Sequence, residues 1–303
     1  MPIDEQSAKS PRRWLRFNLK SLMLLVAIAG ISLGWMAWKV DRARSQRAVV
    51  AQLSKMNVEI IYDYQIEAMT SGRGNSAPPG PKWLNDLLGK EYFAEVYSVT
   101  VYDPQVTDET IALIARLPEV AVVHFNSFKP ATPTNEGTGI TDGGFIHFAG
   151  MHNLEDVCVS SDRITGSGLV HLTGLTRLKK LLVHGWATDA SLKHISKLDR
   201  LEFLGASEVA QITDSGLAHI AQLHNLRFLH LGRDKPFSRF RQDFTMPNYM
   251  KITDEGLVNL YGLKNLEFLC LDAEVTQEGI EKLRKALPKC RVEWNYEGPN
   301  DPR

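Results

Sequence analysis

Four histidines, His147, His171, His194 and His219, recur at intervals of 24, 23 and 25 residues. Imidazoles at fixed spacing are raw material for a metal site, since histidine nitrogens ligate zinc at about 2.1 Å. If each histidine sits on its own helix, neighbours about 8–10 Å apart are too distant to share one ion. The three cysteines, Cys158, Cys270 and Cys290, form no CxxC pair and are too scattered for a disulfide framework. No Ser-His-Asp set, paired-carboxylate motif or Walker loop stands out, and no helix opens on Gly72-x-Gly74. The expectation is a protein with no catalytic residues, metal or cofactor.

Binding chemistry is better represented. Phe203, Phe228 and Phe268 recur at 25 and 40 residues, with His230 and Cys270 each two positions beyond a phenylalanine. The segment from Arg233 to Met250 (RDKPFSRFRQDFTMPNYM) interleaves Arg239 and Arg241 with Phe237, Phe240 and Phe244. Basic and aromatic residues together suit an acidic protein, anionic lipid or nucleic acid. Thirty-five Lys and Arg balance thirty-five Asp and Glu, so no nucleic-acid partner is expected on bulk charge.

These residues are carried by an internal repeat. Thr107, Thr141, Thr165, Thr188, Thr213, Thr253 and Thr276 each follow an apolar residue, at a basic period of about 24 with two insertions. Relative to each threonine, positions −1, +4, +7, +10, +13, +16 and +18 are apolar in all seven units, save Lys289. Positions +4, +7 and +10 mark one face of a short helix, and +16 and +18 one face of a strand. The threonine reads as a helix N-cap, and the aspartate after it in five units favours the positive end of the helix dipole. Asn153, Asn225 and Asn265 fall in the helix-to-strand turn, where their amides satisfy backbone groups.

No unit can bury its apolar face alone, so stacking is predicted, with strands in a parallel sheet and helices opposite. Positions +15, +17 and +19 then face away from the helices, onto the inner surface of a curved solenoid. This surface carries Lys180, His184, Phe203, Phe228, His230 and Phe268. The phenylalanine ridge reads in two ways, as a binding surface or as like residues packing on neighbouring strands. The 233–250 insertion likewise reads as a partner-contacting loop or as a flap over Phe228 and Phe268, and 127–139 as a solvated loop.

The Leu-x-x-Leu-x-Leu runs at 226–231 and 266–271, joined to Ile-Thr-Asp-x-Gly-Leu at 212–217 and 252–257, resemble the leucine-rich repeat family over residues 95–295. The resemblance is to the Thr-Asp-x-Gly-Leu subtype, found also in F-box substrate receptors, and to bacterial membrane-anchored leucine-rich repeat proteins. It implies an α/β solenoid, a curved parallel sheet with helices on the convex side, serving as a binding scaffold. Lys289, Gly166 and Gln277 depart from the pattern; the first and last lie in the terminal repeat, which must face water.

Residues 21–38 (SLMLLVAIAGISLGWMAW) carry no charge. As a helix they rise roughly 27 Å, close to a bilayer's hydrocarbon thickness. Trp14, Trp35 and Trp38 lie near the two ends, where indole rings favour the interface. Cleavage at Ala27-Ile28-Ala29 would make this a signal peptide, but would leave only Leu22–Val26 as its apolar run, so a single-pass anchor is expected. Five cations from Lys9 to Lys20 precede the span and four from Lys39 to Arg47 follow it, a one-charge bias toward an extracytoplasmic C-terminal domain.

The resulting division is a basic tail (1–20), a transmembrane helix (21–38), a juxtamembrane segment and solenoid cap (39–94), the repeats (95–295) and a tail (296–303). Helix is expected over 40–55, strand over 58–64, linker over 70–81, helix over 82–88 and, at the start of the repeats, strand over 96–102. The expected activity is recognition of another protein through the concave face and the 233–250 loop, with the bilayer contacted through 21–38. Candidate contacts are Lys180, His184, Phe203, Phe228, His230 and Phe268 on the sheet, and Arg239, Phe240 and Arg241 on the loop. The alternatives are a structural envelope protein without a discrete ligand, and an adaptor-type substrate receptor.

Overall fold

The computed structural model describes residues 19–71, 77–126, 139–161, 163–184, 187–207, 212–232 and 250–294. Nine strands form one sheet in chain order. They are β1 (Val58–Tyr62), β2 (Val96–Val101), β3 (Val122–Phe125), β4 (Asp156–Ser160), β5 (Lys180–His184), β6 (Phe203–Ser207), β7 (Phe228–Leu231), β8 (Phe268–Leu271) and β9 (Arg291–Trp294). β1 runs antiparallel to β2, and every later pair is parallel and in the register of the repeat, for example Phe203 beside Phe228 and Phe228 beside Phe268. This is a leucine-rich repeat solenoid preceded by one long helix.

The inward columns explain the stacking. Val123, Val157, Leu181, Leu204, Leu229 and Leu269, one per strand, are completely buried, as are Ile111, Phe145, Leu192, Leu217 and Leu257 or nearly so from the opposite layer. Each unit therefore supplies one slice of a continuous core. Adjacent strands are about 4.8 Å apart, whereas packed helices need more room, so the sheet takes the inside of the curve. In the terminal repeat Lys289 is exposed, and Leu287, at 3% exposure, fills the core beside it.

The outer layer is less regular than the periodicity predicts. α4 (Asp108–Ile114), α5 (Asp189–Ile195), α6 (Asp214–Ile220), α7 (Asp254–Leu257) and α8 (Gln277–Ala286) are α-helical. Asp142–Gly150, Ser167–Leu172 and Val258–Gly262 are 3₁₀ turns. The first two fall where glycine is dense, at Gly143, Gly144 and Gly150 and at Gly166, Gly168 and Gly174. Glycine's backbone entropy weakens the longer-range α hydrogen bonding there.

The aspartate after each threonine does more than complement a dipole. It clamps the next repeat. Asp189 accepts from the Thr213 backbone N–H at 2.9 Å and from its hydroxyl at 2.6 Å. Asp108 holds Thr141 in the same way at 2.8 and 2.7 Å, and Asp214 holds Thr253 at 2.8 and 2.7 Å. Asp254 does so for Thr276. Asp142 accepts from Thr165, Gly166 and Gly168. The glycine of Thr-Asp-x-Gly-Leu follows from this: a Cβ at Gly144, Gly216, Gly256 or Gly279 would overlap the preceding repeat's carboxylate. Where the unit before lacks the aspartate, at Gly166, the next unit carries Ser191 instead. The Ser191 hydroxyl then accepts from the Thr188 N–H at 2.7 Å, doing locally what the clamp does elsewhere.

The N-terminal end is closed by α1 (Leu19–Leu53), one unbroken helix of 35 residues. Ala43, Gln46, Val49 and Leu53 form its buried stripe, at the i, i+3 and i+4 spacing of a core-facing helix. The Gln46 amide donates to the Ala94 carbonyl at 2.8 Å. Arg42 lies 3.1 Å from Glu95 and 2.7 Å from Glu119, and Arg47 lies 3.3 Å from Glu91. The 58–64 strand expectation is too long. The Gln65 side chain accepts from the Tyr62 N–H at 2.8 Å, ending β1, and Asp63 opens α2 (Asp63–Ser71), which takes Thr70 and Ser71 from the expected linker. α3 (Lys82–Leu88) leads into a 3₁₀ turn at Lys90–Tyr92.

Candidate functional site

The outward-facing positions of β3 to β9 make one surface that runs the length of the sheet. It has two chemically distinct halves, set by which residue each repeat places at +15 and +17.

The N-terminal half is polar. Asp156 of β4 stands between two cationic or protonatable neighbours: His124 Nε2 of β3 at 3.0 Å and Lys180 Nζ of β5 at 3.6 Å. The Asp156 side chain is 16% exposed and that of Lys180 is 56% exposed, so the lysine ammonium is the part presented to solvent. Cys158, buried, lies beside His124 in register, with its sulfur 3.8 Å from Asn126 Oδ1. The His124–Asp156 pair is not among the candidates that the sequence offers. The signal was there: positions +15 and +17 of adjoining repeats are diagonal neighbours on one face of a sheet.

The C-terminal half is aromatic. The rings of Phe203 and Phe228 stack with centroids 5.9 Å apart and planes 25° from parallel. Phe268 follows in register, and all three are half-buried. Thus Phe203 and Phe228 pack on one another while all three phenylalanines keep part of their surface open, and the two readings of the column are compatible. The ring of Phe203 leans over Gly205, where an added Cβ would come within 3.3 Å of it. The guanidinium of Arg227 stands 5.7 Å from the Phe228 ring. His184, on β5, is half-buried at the border of the two halves, and His230, also half-buried, lies within the aromatic half, in register between Gly205 and Cys270. Asp272, beyond Cys270 on the same side, is 5% exposed.

The structure therefore brings Phe203, Phe228, Phe268 and His230 into one patch and sets Lys180 and His184 on its polar flank. Arg239, Phe240 and Arg241 lie outside the described residues. The C-terminal end of their insertion is fixed by isolated parallel bridges, Lys251 to Thr213 and Met250 to Ala273.

A second polar strip follows the edge where the strands begin. Lys179, Arg200, Glu202, Asn225, Arg227, Asn265 and Glu267 line an open groove there. Its charges alternate from repeat to repeat: Arg177 pairs with Glu155, and Arg227 with Glu267 at 2.8 Å and Glu202 at 3.9 Å. Such a ladder neutralises itself and leaves the concave face as the chemically differentiated surface.

The four periodic histidines lie half-buried on the outer layer, one per unit. No group of three or more His, Cys, Asp or Glu among the described residues could hold a metal. None of the three cysteines forms a disulfide, two being buried and one half-buried, and burial pushes the Cys290 thiol up to about 11.

No family model matches the chain, and no curated protein matches it in sequence. Solved structures similar to it include an internalin, InlF, of Listeria monocytogenes, at 17% identity and TM-score 0.45, covering 68% of this chain and 48% of that one. Internalin C2 of the same organism aligns at 15% identity and TM-score 0.41, covering 66% and 81% respectively. A leucine-rich repeat protein of Leptospira interrogans aligns at 18% identity and TM-score 0.35, covering 70% and 51%. The chain thus spans about half the length of the first and third of these structures.

Proposed function

We propose that this protein is a membrane-anchored scaffold that recognises another protein through the concave sheet face, with the 233–250 insertion as a flanking contact. The observation that carries this reading is the half-buried ladder of Phe203, Phe228 and Phe268, open on one side and bordered by Lys180, His184 and His230. Aromatic anchors surrounded by polar groups are the usual composition of a binding hot spot. In this reading the repeats are of the Thr-Asp-x-Gly-Leu subtype, which the recurring Thr-Asp and Gly columns support.

Anchoring rests on α1. From Leu19 to Trp38 it presents Leu24, Ile31 and Trp35 at 62%, 74% and 58% exposure, with no solenoid residue covering them. It is the one described helix long and apolar enough to cross a bilayer. In this reading the repeat domain lies outside the cytoplasm.

Replacing Phe228 and Phe268 together with Asp tests recognition. The variant is expected to keep the circular-dichroism spectrum of the wild type and to lose, by more than tenfold, the partners recovered by crosslinking in intact cells. Undiminished crosslinking by the folded variant removes the concave face from the proposal. Protease treatment of intact cells bearing a C-terminal tag settles the side: loss of the tag is the expected result.

A further inference from the structure

We propose that α3 and the turn after it form a second membrane contact, a foot that rests on the lipid surface beside the point where α1 leaves it. This rests on the anchoring proposal and adds a surface the apolar span does not include.

Lys39 is the first charged residue after the apolar span, directly following Trp38. Side chains on a helix lean toward its N-terminus, so the Lys39 ammonium reaches back toward the end of the apolar span. There it donates to the Tyr92 carbonyl at 3.4 Å and lies 5.8 Å from the centre of the Tyr92 ring. Tyr92 is thereby held at the level where α1 turns from apolar to charged. Phe93 packs edge-on against Tyr92 with centroids 4.9 Å apart. The Pro79–Pro81 segment lies against Phe93, since a Cβ at Gly80 would stand 3.2 Å from that ring. α3 begins at the next residue, and its far end is fastened further along α1, where Arg47 donates to the Leu88 carbonyl. The N-terminal end of α3 is therefore its membrane-proximal end.

That end exposes an indole where a soluble helix would be polar. Trp83 is 67% exposed and Leu87 is 71% exposed, four residues apart and so on one side of the helix. Lys82, also exposed, adjoins Trp83. An exposed indole and a lysine at headgroup depth, with Leu87 one turn further along the same side next to exposed Asp86, match the composition that favours the bilayer interface, where the ring sits among headgroups and the ammonium meets lipid phosphate. Trp35 and Trp38 supply the same chemistry from α1. The occupant of this face is thus the lipid that already surrounds the span.

The test uses the full chain in vesicles of phosphatidylcholine and phosphatidylglycerol carrying a spin-labelled quencher near the headgroups. An environment-sensitive fluorophore is placed singly at Trp83→Cys, Ser32→Cys or Val258→Cys, each with Cys290→Ser; Cys158 and Cys270 are buried and do not compete. Val258, 55% exposed on the outer layer, is the solvent control, and Ser32 reports the span. The expected result is several-fold stronger quenching at 83 than at 258, together with burial of the probe at 32. Quenching at 83 equal to that at 258, with 32 still buried, overturns the foot and leaves the anchor standing. A probe at 32 that behaves as in water overturns the anchor and the foot with it.

Discussion

Asp189, Asp214 and Asp254 each spend both carboxylate oxygens on the threonine one repeat ahead, and the clamp sets what the neighbouring residue can be. Gly216→Ala is expected to cost about 2 kcal/mol or more, because the new methyl group overlaps Asp189 and breaks a charge-assisted pair. Gly174→Ala, where nothing lies within 4 Å, is expected to be neutral or slightly stabilising. Thermal unfolding of the two variants checks the contrast. Asp142 adds a pH dependence. Burial works against its carboxylate, but hydrogen bonds from Gly168, Thr165 and Gly166 outweigh that and hold its pKa below the ordinary value. Its clamp is therefore at full strength above the unfolded-state value, about 4, and is lost as pH falls through the lower folded value. Asp142→Asn is expected to flatten the acid side of the stability profile, read by denaturant titration over that range. The half-buried Cys290, held protonated at neutral pH, is expected to react with maleimide many-fold more slowly than a solvent-exposed thiol; equal rates would contradict its burial.

Among the elements, the repeat strands were the most legible. Their inward columns are a pattern of period two inside a pattern of about 24, and both survive without knowing any partner. The 3₁₀ turns were not legible, since 3₁₀ and α segments of two turns bury the same spaced residues. The clamp was half-legible: Thr-Asp and Gly are visible as columns, but the bond runs between copies and no single unit shows it. The phenylalanine column was readable as a neighbour relation, and its half-open packing was not, because exposure depends on what flanks the sheet. The His124–Asp156 pair needed cross-strand geometry. The cap shows the same division. A charged helix after the apolar stretch was foreseeable; that Gln46, Val49 and Leu53 are buried against the cap was not, since Gln46 bonds to Ala94, over 40 residues away. Val49→Asp puts a charge into that fully buried contact, and is expected to lower the melting temperature of the solenoid by several degrees while leaving, in the anchored reading, its membrane extraction behaviour unchanged.

At the scale of the whole molecule, span, cap and repeats are joined without a hinge in α1, whose helix runs from Leu19 to Leu53. β1 and β9 are eight strand spacings apart, roughly 40 Å. In the anchored reading, a tilt of the helix is geared up into a sweep of the far end, and a spin about its axis turns the phenylalanine face like a vane. Orientation toward a partner is then a lipid-coupled quantity: a thicker or thinner bilayer, by changing the tilt, aims the same surface at a different height above the membrane.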